Sequence, residues 1–140
     1  MARGADAAER AALARLRPLA LALPESAETR SFGHPTFQVR GKTFAVLEVY
    51  KGVLSLAVKA GHADQRAFLA DARFYLTPYS GRHGWVSLKI EGRLDARLAR
   101  ALLDHSWRQV APRTLTAGGA APARARRAAP ARKPRTRRSA

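Results

Sequence analysis

Between Ser31 and Ala45 the chain reads SFGHPTFQVRGKTFA, and no other stretch restricts its folding so tightly. Gly33, Pro35 and Gly41 break it at short intervals, and apolar residues fall between the breaks. Pro35 biases His34 toward an extended backbone, so a strand begins here and a helix cannot run through. Thr36 to Arg40 alternates, with Phe37 and Val39 on one face and Thr36, Gln38 and Arg40 on the other. Arg40-Gly41 supplies a turn, and a longer strand follows it.

The remainder of the first 116 residues supports an α+β domain. Ala5 to Ala22 is rich in Ala, Leu and Arg, all good helix formers. Leu13, Leu16 and Leu19 or Ala20 form an apolar stripe along it. Pro18 should end or kink that helix, at a cost of about 3 kcal/mol if it lies inside. Pro24 and the polar run Glu25 to Arg30 read as a loop. Thr43 to Tyr50 and Val53 to Lys59 read as strands joined by a Lys51-Gly52 hairpin turn. Phe44, Val46, Leu54, Leu56 and Val58 are the expected buried face of that pair. A helix over His62 to Asp71, strands over Arg73 to Thr77 and Trp85 to Ile90, and a helix capped by Asp95 and stopped by Pro112 complete the order.

Charge divides the chain differently. The net charge is +16, from 26 Lys and Arg against 10 Asp and Glu. Residues 117 to 140 carry eight of those cations: Arg124, Arg126, Arg127, Arg132, Lys133, Arg135, Arg137 and Arg138. The segment has no acid, no aromatic, and no aliphatic side chain beyond Ala. It cannot bury enough apolar surface to offset its chain entropy, so it is expected to be a disordered Ala/Pro/Arg-rich tail. Flexible guanidinium groups track phosphates without reading bases. The alternative for such a tail is an incidental basic extension. A membrane surface is the weaker partner, because the tail has no Trp, Phe or Leu to insert.

The Ser31–Ala45 element resembles the signature of the MmcQ/YjbR family, small bacterial proteins usually described as DNA-binding. Phe32, Gly33, His34, Pro35, Phe37, Gly41, Lys42, Phe44 and Ala45 carry the likeness. Gly84-Trp85-Val86 before a strand and Ser106-Trp107 in the last helix are two further matches in the same order. The resemblance implies a frataxin-like α-β-β-β-α-β-β-α fold, with an antiparallel sheet covered by helices, over residues 1–116. It also implies a double-wing arrangement, for which the Lys51-Gly52 hairpin and the Tyr79 to Gly84 loop are the candidates here. The 117–140 tail is similar to those of linker-histone-like and some nucleoid proteins.

Candidate nucleic-acid contacts in the body are Arg40, Lys42, Lys51, Lys59, Arg82, His83, Trp85 and Lys89. Lys42 either meets a phosphate or is a solvated turn lysine. Trp85 either stacks on a base beside Arg82 and His83 or anchors the core at a strand start. His34 and Ser106-Trp107 read as structural. Enzyme chemistry has no positive signal: His34, His62, His83 and His105 lack metal-motif spacing, and no phosphate loop or nucleophile elbow appears. Hard metal ions want clustered carboxylates, and the first helix offers only Asp6 and Glu9 among arginines. No cysteine is present for a disulfide framework or thiolate, and no apolar run is long enough to span a bilayer. The expectation is a non-catalytic, cofactor-free, monomeric, cytoplasmic and nucleoid-associated protein that binds duplex DNA with little sequence preference. The runner-up is a small-ligand or protein-interaction module that its tail tethers to nucleic acid.

Overall fold

The computed structural model describes residues 2–117. Helix α1 (Ala2–Leu21) leads into strands β1 (Ser26–Ser31), β2 (His34–Val39), β3 (Lys42–Tyr50) and β4 (Val53–Lys59). Helix α2 (His62–Leu69), strand β5 (Phe74–Leu76), a 3-10 turn (Gly81–His83), strand β6 (Trp85–Lys89) and helix α3 (Ala96–Val110) follow. The six strands form one antiparallel sheet in the order β1-β2-β3-β4-β6-β5. The chain divides after Val110, and the second unit contains the short helix α4 (Arg113–Ala117). No helix among the described residues is long and apolar enough to cross a membrane.

Local chemistry explains the first four strands. Phe32-Gly33, Arg40-Gly41 and Lys51-Gly52 each connect two strands with positive φ at both residues. That pattern belongs to the tight hairpin turn whose twist matches the strands it joins. The first of these hairpins makes a strand of Ser26–Ser31, where the sequence favoured a loop. An edge strand is half-exposed, so the polar run SAETRS can serve it. Helix α1 also departs from expectation, since it runs through Pro18 to Leu21. Leu16 and Ala20 are completely buried on either side of the proline, and that packing holds the helix together there.

Cross-strand register assigns the two faces of the sheet. Leu47, Leu56, Leu88 and Phe74 lie in line across four strands, as do Ala45, Val58, Val86 and Leu76. This face packs against the helices, with α3 over β3 and β4 and α2 over β5 and β6. Phe37, Phe44, Leu47, Leu56 and Leu103 are among the largest fully buried side chains. Val46, expected in the buried row, pairs with Thr36 and Ala57 on the opposite face. The reason is a bulge between β2 and β3, where the register shifts. An extra residue on one strand allows the adjacent Phe44 and Ala45 both to be buried.

Helix α3 is fastened at both ends. The Asp95 carboxylate accepts from the backbone N–H groups of Arg97 and Leu98, as expected for an N-cap. Near the other end, Ser106 Oγ donates to the Phe44 carbonyl at 2.6 Å and accepts from the Lys59 N–H at 2.9 Å. One buried hydroxyl thus serves two strands beside the bulge. The Trp107 indole N–H donates to the Pro24 carbonyl at 3.1 Å, tying α3 to the loop that follows α1.

Candidate nucleic-acid interface

Helices α2 and α3 pack on the first face, and the other rows of the register define the second. Glu48, Ser55 and Lys89 lie in line across β3, β4 and β6, and Val46, Ala57, Ser87 and Tyr75 form the next row. Lys59 pairs with Trp85 in the row beyond. Three sequence candidates, Lys59, Trp85 and Lys89, therefore share one surface. Each is half-buried, as side chains with an apolar body and a polar tip commonly are. Glu48 is the one carboxylate on this face among the strand residues in these rows.

Small hydroxyl residues form the floor. Ser55 and Ser87 are completely buried and Thr77 nearly so. Ser55 Oγ shares a 2.7 Å hydrogen bond with the Tyr75 hydroxyl, and Thr77 Oγ1 shares one of 2.9 Å with Ser87 Oγ. The Tyr75 ring is stacked with that of Tyr50, centroids 6.3 Å apart and planes 20° from parallel. The Lys51 ammonium lies 5.4 Å from the centroid of the Tyr50 ring, within cation–π range.

Beside these rings is an open depression of about 440 Å³, lined by Tyr50, Leu76, Thr77, Pro78, Tyr79 and Arg82. Both candidate wings contribute to it, the hairpin through Tyr50 next to Lys51 and the loop through Tyr79 and Arg82. The loop is firmly held. Gln65 Nε2 donates to the carbonyls of Gly81 at 2.6 Å and Trp85 at 3.0 Å. The His62 ring is 2.8 Å from the Arg82 carbonyl, and the Gly84 carbonyl accepts from the N–H groups of Ala60 and Gly61. Gly84 has φ +90°, and a Cβ there would meet the Gly61 backbone at 3.1 Å, so the close approach requires glycine. Tyr79 projects from this anchored loop with φ +65° and is 93% exposed.

The remaining candidates are scattered. Register puts Lys42 at the end of the sheet that holds Lys59 and Trp85. Lys51 lies just past the opposite end of the nine-residue β3, whose eight steps span roughly 26 Å at about 3.3 Å per residue. Arg40 is committed to an ion pair, its guanidinium meeting the Glu25 carboxylate at 2.6 and 3.0 Å. That contact holds the Glu25 carboxyl below the usual carboxylate range. Arg82 and His83 are exposed in the 3-10 turn. The eight cations from Arg124 to Arg138 lie outside the described residues. The sequence reading overlooked Tyr50, Tyr75 and Tyr79. A period of two gives the face of each strand, but only the cross-strand register brings Tyr50 and Tyr75 together.

Among the described residues, no three His, Cys, Asp or Glu side chains gather as a metal site. A solved structure with a similar fold is that of protein DR2400 from Deinococcus radiodurans, a DUF419 domain. The TM-score is 0.60 at 19% identity, over 79% of this chain and 83% of that one, a likeness of fold. No curated protein matches this chain. The YjbR family model matches residues 21–109, which span all six strands and nearly all of α3. Over that folded core, the chain belongs to the YjbR family.

Proposed function

We propose that this protein is a non-catalytic DNA-binding protein, with a folded domain that docks its open sheet face on DNA and a basic tail that adds affinity. One observation carries the reading: Lys59, Trp85 and Lys89 share that face with Tyr50 and Tyr75. Cations spaced along a surface meet phosphates, and aromatic rings beside them offer stacking that tolerates any base. Binding of this kind has little sequence preference, since phosphate contacts carry no sequence information. The tail's eight cations, with no acid among them, add a salt-dependent term of the same kind.

The test is a salt titration of binding to a random DNA sequence, comparing the full chain with residues 1–117. The shortened protein is expected to bind more weakly but with a measurable salt dependence. Removing eight phosphate contacts would flatten the slope of log K against log salt by up to about seven. If residues 1–117 bind no DNA at any salt concentration, the sheet face has another partner and the tail alone accounts for binding.

A further inference from the structure

We propose that the depression beside Tyr50 is a subsite for one unpaired nucleobase, so that the protein prefers DNA with unpaired bases to fully paired duplex. The inference rests on the DNA-binding reading above and names the state of DNA that the domain takes.

The geometry suits a flat, uncharged ring attached to an anion. The Tyr50 ring forms one wall, and its stacking on Tyr75, itself bonded to Ser55, fixes that wall in place. Tyr79 stands at the rim, almost wholly in solvent. Arg82 is exposed beside it, within reach of the phosphate that would follow the base. None of the lining residues is acidic, and Arg82 is the charged one among them. A volume of about 440 Å³ falls within the range of about 300–1,000 Å³ usual for small-molecule sites.

Strain points the same way. A non-glycine residue with positive φ is held there by its surroundings at some cost in stability, and such residues gather at binding sites. Tyr79 is one, on a loop that Gln65, His62 and the Gly61–Gly84 contact hold in shape. An exposed ring presented in this way gains nothing from burial in the protein itself. The backbone that carries it is already held, which lowers the ordering cost of binding a partner that stacks.

Pairing state follows from access. In a duplex both faces of every base are covered by its neighbours, and a ring recessed in a depression cannot reach them. A base must leave the stack to enter, which costs free energy in duplex and much less in a single strand.

The experiment uses the full chain and a fluorescent single-stranded oligonucleotide, an otherwise identical strand with abasic sites, and the matching duplex. The intact and abasic strands carry the same phosphates, so the contribution of the tail cancels between them. The intact strand is expected to bind roughly five- to a hundredfold more tightly than the abasic one, and more tightly than the duplex. Tyr79→Ala, at an exposed position, should remove most of that discrimination, read as the ratio of intact-strand to abasic-strand affinity in the variant itself. Equal affinity for intact and abasic strands, duplex binding as tight as the single strand, or full discrimination in Tyr79→Ala would each overturn the subsite and leave the DNA-binding reading standing. Failure of the full chain to bind any of the three would overturn both.

Discussion

Ser106 illustrates how one residue can set the local structure of three elements. Its hydroxyl lies beside the β2–β3 bulge, donating a hydrogen bond to the Phe44 carbonyl and accepting one from the Lys59 N–H. Without it both backbone groups lose this partner, and the Phe44 carbonyl loses it at a buried position. Ser106→Ala should therefore cost about 1–3 kcal/mol, the usual penalty for stranding a buried polar group. A urea titration checks this: the midpoint should fall with the slope unchanged, and an unaltered midpoint would show that the hydroxyl is dispensable. Gly84 constrains its neighbourhood through space alone. Gly84→Ala must fit a Cβ against the Gly61 backbone at φ +90°, and should destabilise by roughly 1–3 kcal/mol. Thermal unfolding would measure it.

Three successive X-Gly hairpins generate most of the sheet, and they differ in how well their first residue suits the turn. Asn visits the left-handed region readily and Phe does not. Phe32 nevertheless sits there, with φ +52° and 97% of its surface exposed. Phe32→Asn should raise stability by about 0.5–1 kcal/mol, because it relieves the backbone and uncovers no core. A lower melting temperature would mean that the ring supports the fold in some other way. Ion pairs add to this framework: Arg17 of α1 holds Glu28 of β1, Arg40 of the second turn holds Glu25, and Arg73 holds Asp71 within the α2–β5 connection. In each pair the hydrogen bond from arginine lowers the carboxyl pKa, for Asp71 from 3.8 to about 2. A carboxylate depressed in the folded state adds stability above its unfolded pKa and loses it as pH falls through the folded value. Stability should accordingly decline between about pH 4 and pH 2, modestly, because these pairs are exposed. Urea midpoints measured across that window, with Asp71→Asn flattening part of the decline, test the assignment.

At the scale of the folded domain, α2 and α3 cover one face of the sheet, and the other carries cations, tyrosines and small hydroxyl residues. Lys59 and Lys89 reach that surface from adjacent strands without taking part in the core. The double variant Lys59→Ala with Lys89→Ala should keep its melting temperature, weaken DNA binding, and flatten the salt slope by roughly two, near 0.9 for each lost phosphate contact. Binding and slope equal to those of the natural chain would move the interface elsewhere, and the exposed arginines of α3, Arg97 and Arg100, would then be the next to change.

By itself the sequence determined the α+β class, the division between an apolar body and an Ala/Pro/Arg stretch, the positions of five strands, and the Asp95 cap. All of these rest on short-range physics: turn residues, periodicity, capping and local charge. It did not determine β1, because an exposed edge strand needs no apolar pattern. Nor did it determine the path of α1 through Pro18, because burial of Leu16 and Ala20 outweighs a local penalty. The candidate site is the clearest division. Lys59, Trp85 and Lys89 were legible as cations and an aromatic near strand ends, yet their common face depends on the register between β4 and β6. The stacking of Tyr50 on Tyr75 joins residues 25 positions apart on strands that are not neighbours in the sheet. Only the tertiary structure decides such a contact, because the order of strands and the curvature of the sheet are properties of the whole chain.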